Sequence, residues 1–295
     1  MTGKLRRQRA NATATRPGYP TTRRVRFALG EDRVYDKYFV NDDIVFSHFV
    51  AGLSGSFPPG EESFIRSVRR FSDRLADTAL QRRVAGFIGQ ESTHGQQHRQ
   101  INEKLIEMGY PIGWWDSKSF KERFIRFEQR LPGRVHLAMT AASEHYTAIL
   151  AERILGRAEV QEIPGEPEIW NLLNWHALEE LEHKSVAFDV YRAVGGSERT
   201  RIAVMWAMIA LTFPITLTSL AVSLARDPVA RRQPLRLARE ARALFGGPLF
   251  SGLMYDLAKY LKPGFHPDDI DTQRLLQEWQ QELFGPQGVL VDHLK

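Results

Sequence analysis

Apolar residues recur every three or four positions along most of the chain, and clusters of glycine and proline interrupt this pattern. A repeat of that length places apolar side chains on one face of a helix. Alternation with a period of two, which is typical of strands, is almost absent. Between the breakers, the pattern predicts helices over residues 61–76, 78–107, 134–155, 167–193, 199–225, 234–260 and 268–284. The sequence therefore predicts an all-α protein.

The segment 202–224 contains 23 residues in a row without a charge. Its length would cross a bilayer, but Pro214 lies at its centre and basic residues flank both ends. Three alternatives are a helix buried at a subunit interface or over the bundle, a monotopic or re-entrant membrane contact, and a full span. Because the flanking charges favour one aqueous side, we predict two helical arms bent around Pro214.

The amino-acid composition limits the kinds of metal site and nucleophile that this protein can contain. The 295 residues include no cysteine, so a thiolate metal site and a cysteine nucleophile are excluded and any metal is bound through nitrogen and oxygen. The formal charge is +5, yet residues 1–30 contain eight basic residues and no acid, which leaves the rest of the chain acidic. We interpret 1–30 as a disordered basic tail, with a transit peptide as the alternative. The folded part gives no sign of nucleic-acid binding.

Two predicted helices carry the same cluster of polar residues. In "QESTHGQQH" (90–98), Glu91 and His94 are three positions apart, and His98 lies 20° from Glu91 around the helix. In "NWHALEELEH" (174–183), Glu180 and His183 repeat this spacing. One Glu-x-x-His pair arises easily by chance, but two pairs on two helices are far more specific.

A single glutamate precedes each pair, Glu61 before the first and Glu144 before the second. The resulting order, Glu, Glu-x-x-His, Glu, Glu-x-x-His, is the ligand set of di-iron and di-manganese centres in four-helix bundles. Glu61 is preferred to Glu62 because its helical face is otherwise apolar, although it lies at the start of its predicted helix. We expect two divalent metal ions, iron first, with manganese or zinc as the alternatives. The predicted ligands are Glu61, Glu91, His94, Glu144, Glu180 and His183.

Three further residues lie near this set. His98 and His176 share the faces of the paired ligands, so each is an extra ligand, a partner of a ligand or a core histidine. Together with Glu179 they are the candidates for a catalytic role. His94 and His98 have the spacing of a zinc protease helix, but Gly95 stands where that motif requires glutamate. The sequence contains neither a Gly-x-Ser-x-Gly elbow nor a glycine-rich phosphate loop.

Several stretches resemble the bacterial family of predicted metal-dependent hydrolases. They are "FPPGEESFIRSVRR" (57–70), "GQESTHGQQH" (89–98), "ASEHYTA" (142–148) and "WHALEELEHKSVAFDVY" (175–191), and the resemblance covers roughly residues 35–260. It implies a ferritin-like fold, and it places the six predicted ligands, His98 and His176 on motif positions. The run "GEES" departs from the pattern, since an aromatic residue is common where Ser63 stands.

These observations lead to one functional hypothesis with two alternatives. The hypothesis is a di-metal oxidoreductase that uses O2 on an apolar or amphipathic small molecule. The alternatives are a metal-dependent hydrolase with a metal-activated water and a non-catalytic metal-binding protein. We predict a ferritin-like bundle over 31–195, with 196–295 packing on it or on a membrane. We expect a cytoplasmic protein, with a membrane surface contacted through 202–224 and a homodimer as further expectations.

Overall fold

The computed structural model describes residues 20–29 and 35–295. Within these residues it has no β-strand, only isolated bridges between Val25 and Leu294 and between Val40 and Gly165. The all-α prediction is therefore confirmed. The α-helices are α1 (Ile44–Arg69), α2 (Thr78–Glu107), α3 (Lys118–Arg130), α4 (Gly133–Gly156), α5 (Ala158–Gln161), α6 (Pro167–His183), α7 (Val186–Ala193), α8 (Glu198–Arg226), α9 (Pro234–Gly246), α10 (Leu253–Ala258) and α11 (Gln273–Phe284).

Four long helices form the centre of the molecule. Helix α1 packs on α2 and α4, and α6 packs on α4 and α2, so each helix touches two of the others. These are the helices that carry the predicted ligands, with Glu61 on α1, Glu144 on α4 and one Glu-x-x-His pair each on α2 and α6. The bundle is therefore present, while its ferritin-like topology stays a prediction.

Helix α1 is much longer than predicted. It begins at Ile44, where Asp43 caps it by accepting a bond from the Phe46 amide at 2.7 Å. It continues through Pro58 and Pro59, which the sequence reading treats as breakers. Since Pro58 has no N–H, it cannot bond to the Ser54 carbonyl one turn earlier. The side-chain amide of Asn102 on α2 donates to that carbonyl instead, at 2.9 Å. Glu61 thus lies inside a helix and not at its start.

Other boundaries agree in part. The predicted helix 78–107 coincides with α2, which Asp77 caps, and 134–155 differs from α4 by one residue at each end. The predicted helix 167–193 is broken at residues 184–185 into α6 and α7. The predicted helix 234–260 is likewise interrupted between α9 and α10, and 268–284 shortens to α11. Helix α3 was not predicted, and Glu128 is its only buried residue.

Part of the predicted N-terminal tail is folded. Val25 and Phe27 are buried, and the Phe27 ring lies 5.5 Å from that of Trp175 on α6. The prediction of a tail over 1–30 is therefore wrong for 20–29, because those residues pack on the bundle. Residues 1–19 and 30 lie outside the described part of the chain.

Helix α8 differs from both the predicted bent pair and the buried helix. It is one continuous helix through Pro214, and within the described residues it is the helix long and apolar enough to cross a membrane by length and composition. Arg201 near its start is fully buried and donates to the Lys262 carbonyl at 2.9 Å. Ser223 near its end bonds to His48 of α1 at 2.7 Å. Between these anchors, most side chains are exposed.

Candidate metal centre

Buried ligand atoms of α1, α2 and α6 converge in two adjoining groups. One atom from each of four residues, Glu91, His94, Glu180 and His183, lies within 4.8 Å of the others. A second group joins Glu61, His94 and His176 within the same limit. Because His94 belongs to both groups, the two sites lie side by side. Spacings of this size surround a cation that each atom approaches at about 2 Å.

Two carboxylates fix which nitrogen each imidazole presents. Nε2 of His94 lies 3.0 Å from Oε2 of Glu179, so it carries the proton and donates, and Nδ1 turns its lone pair to the first group. His183 lies with Nδ1 2.8 Å from Oε2 of Glu144, and its Nε2 is 3.5 Å from Oε1 of Glu91. Both rings are therefore oriented as ligands by a carboxylate behind them.

His176 is oriented by a longer hydrogen-bonded chain. Asn102 uses its amide nitrogen on the Ser54 carbonyl, so its oxygen accepts from the Ser54 hydroxyl at 2.7 Å. That hydroxyl in turn accepts from Nδ1 of His98 at 2.9 Å, which leaves Nε2 of His98 to accept from Nδ1 of His176 at 2.8 Å. This leaves a lone pair on Nε2 of His176. That nitrogen lies 3.0 Å from Oε1 of Glu180 and 3.7 Å from Oε1 of Glu61, so it meets two carboxylate oxygens where a cation would bind. This series of hydrogen bonds orients the His176 ring through His98.

The donor set fits a pair of metal ions. Eight buried side-chain atoms in this cluster have no hydrogen-bond partner, and every one of the six residues predicted as ligands contributes at least one. Buried polar atoms are rarely left without a partner, and an unpaired buried carboxylate is costly. Nitrogen and carboxylate oxygen suit iron, manganese and zinc. The orphaned atoms belong to Glu61, Glu91, His94, Glu144, Glu180 and His183.

Electrostatics also favour cations here. Burial raises the pKa of Glu61 and of Glu91 well above the usual range, and neighbouring carboxylates raise it further. Burial raises the pKa of Glu144 to about 7. Burial and the adjacent histidines hold the pKa of His94 well below its usual value, so it stays neutral and able to ligate. Two divalent ions would offset the four carboxylate charges that otherwise repel one another.

An arginine from the N-terminal segment completes the surroundings. Arg23 donates to both oxygens of Glu182, at 2.8 and 2.6 Å, and to Oε1 of Glu179 at 3.0 Å. Amide donors from Gln90 and Gln280 also reach Glu182. Burial raises the pKa of Glu179 to about 8, and the charge of Arg23 opposes that rise. Arg23 therefore holds the carboxylate that orients His94.

The predicted residues fall into distinct positions. Glu144 lies against His183 and outside both groups, although its Oε1 has no partner. Glu179 binds Arg23 and His94 through its two oxygens, so it is a positioning residue and not a free base. His98 contacts Ser54 and His176 and belongs to neither group. Sequence reasoning missed Arg23, Ser54 and Asn102, for which no local spacing gave a signal.

An apolar pocket of about 70 Å³ reaches the second group. Its walls come from α1, α4 and α6, and they include Phe57, Thr147 and Ala151. His176 and Glu180 lie at its inner end. Thr147 and Ala151 follow Glu144 on α4, and their small side chains line this pocket. The pocket that leads to His176 and Glu180 is therefore lined mainly by apolar side chains.

We predict that Gly95→Ala weakens metal binding without weakening the fold. A Cβ at Gly95 would lie 2.9 Å from Oε2 of Glu61, so that carboxylate must move. Alanine is favoured over glycine inside a helix by about 1 kcal/mol, so the melting temperature of the metal-free protein should hold or rise.

Titration with Mn²⁺ and thermal circular dichroism measure the two effects. Gly52→Ala on α1 is the control, since no atom lies within 4 Å of the added carbon. Equal Mn²⁺ affinities for the two variants would contradict this role of Gly95.

Fold and site together define an all-helical protein with a buried glutamate–histidine site for divalent metal ions. Residues 21–271 match the family model described as "Predicted metal-dependent hydrolase", and the chain belongs to that family. No curated protein and no solved structure matches the chain.

Proposed function

We propose that this protein is a di-metal hydrolase that cleaves an ester bond in a small molecule with an apolar part. The orphaned ligand atoms of the six clustered residues carry this proposal, because they match the needs of two cations. The apolar pocket that ends at His176 and Glu180 supports an apolar substrate. The description of the family supports hydrolysis.

The chemistry divides between the metals and the chain. When bound, paired divalent ions polarise a carbonyl and lower the pKa of a water molecule. Phe57 and the walls of the pocket hold the apolar part of the substrate and exclude bulk water. Glu179, Glu144 and His98 hold His94, His183 and His176 in their ligating orientations. In the net reaction water adds to the acyl carbon, the ester C–O bond breaks, and an acid and an alcohol leave.

O2-dependent oxidation of the same kind of molecule is the second candidate. One observation favours it: Glu179, the carboxylate considered as a separate base for hydrolysis, is bonded to Arg23 and His94. A carboxylate-rich set with few histidines also suits iron that binds and reduces O2. Of the metals that fit the donors, zinc supports hydrolysis alone, and iron supports either reaction.

Reconstitution distinguishes the two reactions. Metal-free protein is loaded with Zn²⁺, Mn²⁺ or Fe²⁺ and assayed on p-nitrophenyl octanoate, with O2 uptake followed in parallel. We expect ester cleavage that requires metal, persists without O2 and disappears in Glu91→Ala, because Glu91 contributes to the first group. The absence of ester cleavage with every metal, together with O2 uptake by the Fe²⁺ protein, would replace hydrolysis with oxidation.

A further inference from the structure

The middle of α8 exposes apolar side chains on opposite sides. Trp206, Phe213 and Leu217 point to one side, and Leu211, Ile215 and Val222 point to the other, given 100° per residue. Trp206 and Leu211 are each 59% exposed and Ile215 is 54% exposed. A helix that is apolar all round is normally enclosed, and a flat protein partner would cover one side only. A lipid phase covers all sides at once.

Both ends of α8 are fixed to the same body. Arg201 binds the Lys262 carbonyl, Ser223 binds His48 of α1, and α8 packs on both α1 and α4. Among the described helices, only α8 is long and apolar enough to cross a membrane, so a full span would draw α1 and α4, which pack on it, into the bilayer. The geometry therefore suits a helix that lies in one leaflet, and a full span is excluded.

The segment after α8 is basic. Five arginines between residues 226 and 242 are exposed, and none forms an ion pair with a residue that the structure describes. The two acids in this stretch, Asp227 and Glu240, are buried and paired, with Lys37 and Arg236 respectively. Leu235, between these arginines, is 86% exposed. Arginines around an exposed apolar side chain match a surface of anionic lipid headgroups. The five are Arg226, Arg231, Arg232, Arg239 and Arg242.

A large groove lies beside this surface and adjoins the pocket that reaches the metal centre. It has a volume of about 830 Å³ and lies between α1, the second half of α8 and the loop that carries Trp114 and Trp115. The two indole rings stack at 4.0 Å, and tryptophan is typical of the membrane interface. Phe49 and Leu53 line this groove and also the inner pocket that ends at His176. Only these side chains of α1 are shared between the two spaces.

We propose that α8 and the arginines after it dock this protein on an anionic membrane leaflet, and that the groove takes an acyl-chain amphiphile from that leaflet toward the metal centre. The chain of the amphiphile lies along α8 and passes Phe49 and Leu53 into the inner pocket. Hydrolysis of the bound molecule rests on the proposed function, whereas docking on the membrane does not depend on it. The same surface explains why an apolar helix is left open at both faces.

Vesicle flotation tests the docking. The metal-loaded full chain is mixed with vesicles of phosphatidylcholine, with or without phosphatidylglycerol, and we expect flotation with the anionic vesicles that weakens in high salt. Ile215→Glu should lower binding about 50-fold, because a carboxylate enters the apolar layer. The joint change Arg231→Gln and Arg232→Gln should lower it about 30-fold. Val289→Glu places the same charge at a side chain that is 51% exposed elsewhere, and should leave binding unchanged.

Fluorescence tests the groove. Vesicles with brominated acyl chains should quench tryptophan emission, and the joint change Trp114→Phe and Trp115→Phe should reduce that quenching. Trp279→Phe is the control, since its indole is tied to the Leu155 carbonyl on α4. Equal quenching in the two variants would overturn the role of the groove.

Other outcomes separate this inference from the proposed function. If the wild-type chain stays unfloated, or Val289→Glu binds as poorly as Ile215→Glu, the docking surface is wrong. A dimer in solution that does not float would assign α8 to a second copy of the chain and overturn membrane docking. Metal content and cleavage of the water-soluble p-nitrophenyl acetate are measured on the same samples. If both persist without flotation, only the docking fails; flotation without metal or cleavage would remove the proposed function alone.

Discussion

Replacing His94 by alanine is expected to remove most of the bound metal and all metal-dependent activity. His94 presents its Nδ1 lone pair to the first group, so its loss removes a nitrogen ligand there, beside the second group. The remaining carboxylates stay close together and repel one another without a full complement of cations. Helical content should change little, because four bundle helices still pack through their apolar faces.

Metal analysis by mass spectrometry, with circular dichroism on the same samples, measures this effect. Gln96→Ala is the matched control, because Gln96 lies on the same helix and is exposed. Exposed side chains usually change stability by no more than about 0.5 kcal/mol, so this variant should keep its metals. A His94→Ala protein with the wild-type metal content would remove His94 from the ligand set.

The sequence predicted features that depend on neighbours within one helix. Glu91 and His94 share a face through their spacing alone, and Asp77 before α2 caps a helix whose bounds agree with the prediction. The same arithmetic grouped Glu180 with His183. Because these relations span a few residues, no knowledge of the rest of the fold is needed to find them.

Relations between distant segments were not predictable in this way. The passage of α1 through Pro58 depends on an amide donor from Asn102, which is 44 residues further along the chain. A glycine–proline cluster read by itself indicates a break, and only the packing of α2 on α1 supplies the missing bond. The same packing places Gly95 against Glu61. From the sequence, Gly95 was notable only because it stands where a zinc protease motif requires glutamate.

Helix α8 shows a different limit of sequence reading. Its apolar run did not predict whether α8 is exposed, because a core helix and a membrane helix share this composition. Its central Pro214 did not predict whether the helix is continuous. Its anchors, Arg201 and Ser223, are polar residues near the ends of the helix, and they bind partners that lie far away in the chain. Whether a helix is buried depends on the elements that pack on it. Its composition shows only that it is compatible with an apolar environment.

Replacing Arg23 by glutamine is expected to lower metal affinity 10- to 100-fold, the usual effect of losing a group that orients a ligand. The Arg23 guanidinium donates a hydrogen bond to Glu179, and Glu179 accepts a hydrogen bond from Nε2 of His94. Without the guanidinium, burial raises the pKa of Glu179 further, and its neutral form accepts the bond from His94 less strongly. Arg23→Lys should give a smaller loss, since one ammonium cannot bond to Glu179 and to both oxygens of Glu182 with the same fork.

Competition with a fluorescent chelator measures the Zn²⁺ affinity of each folded variant. Arg24→Gln removes the same charge from the adjacent, exposed position and should bind Zn²⁺ like the wild type. Val25→Ala loosens the buried packing of the same segment without touching Glu179. If Val25→Ala lowered Zn²⁺ affinity as much as Arg23→Gln, the segment would act through packing and the link from Arg23 to His94 would be wrong. If only Arg23→Gln lowers it, a residue from the predicted tail supports the centre of the bundle through one carboxylate.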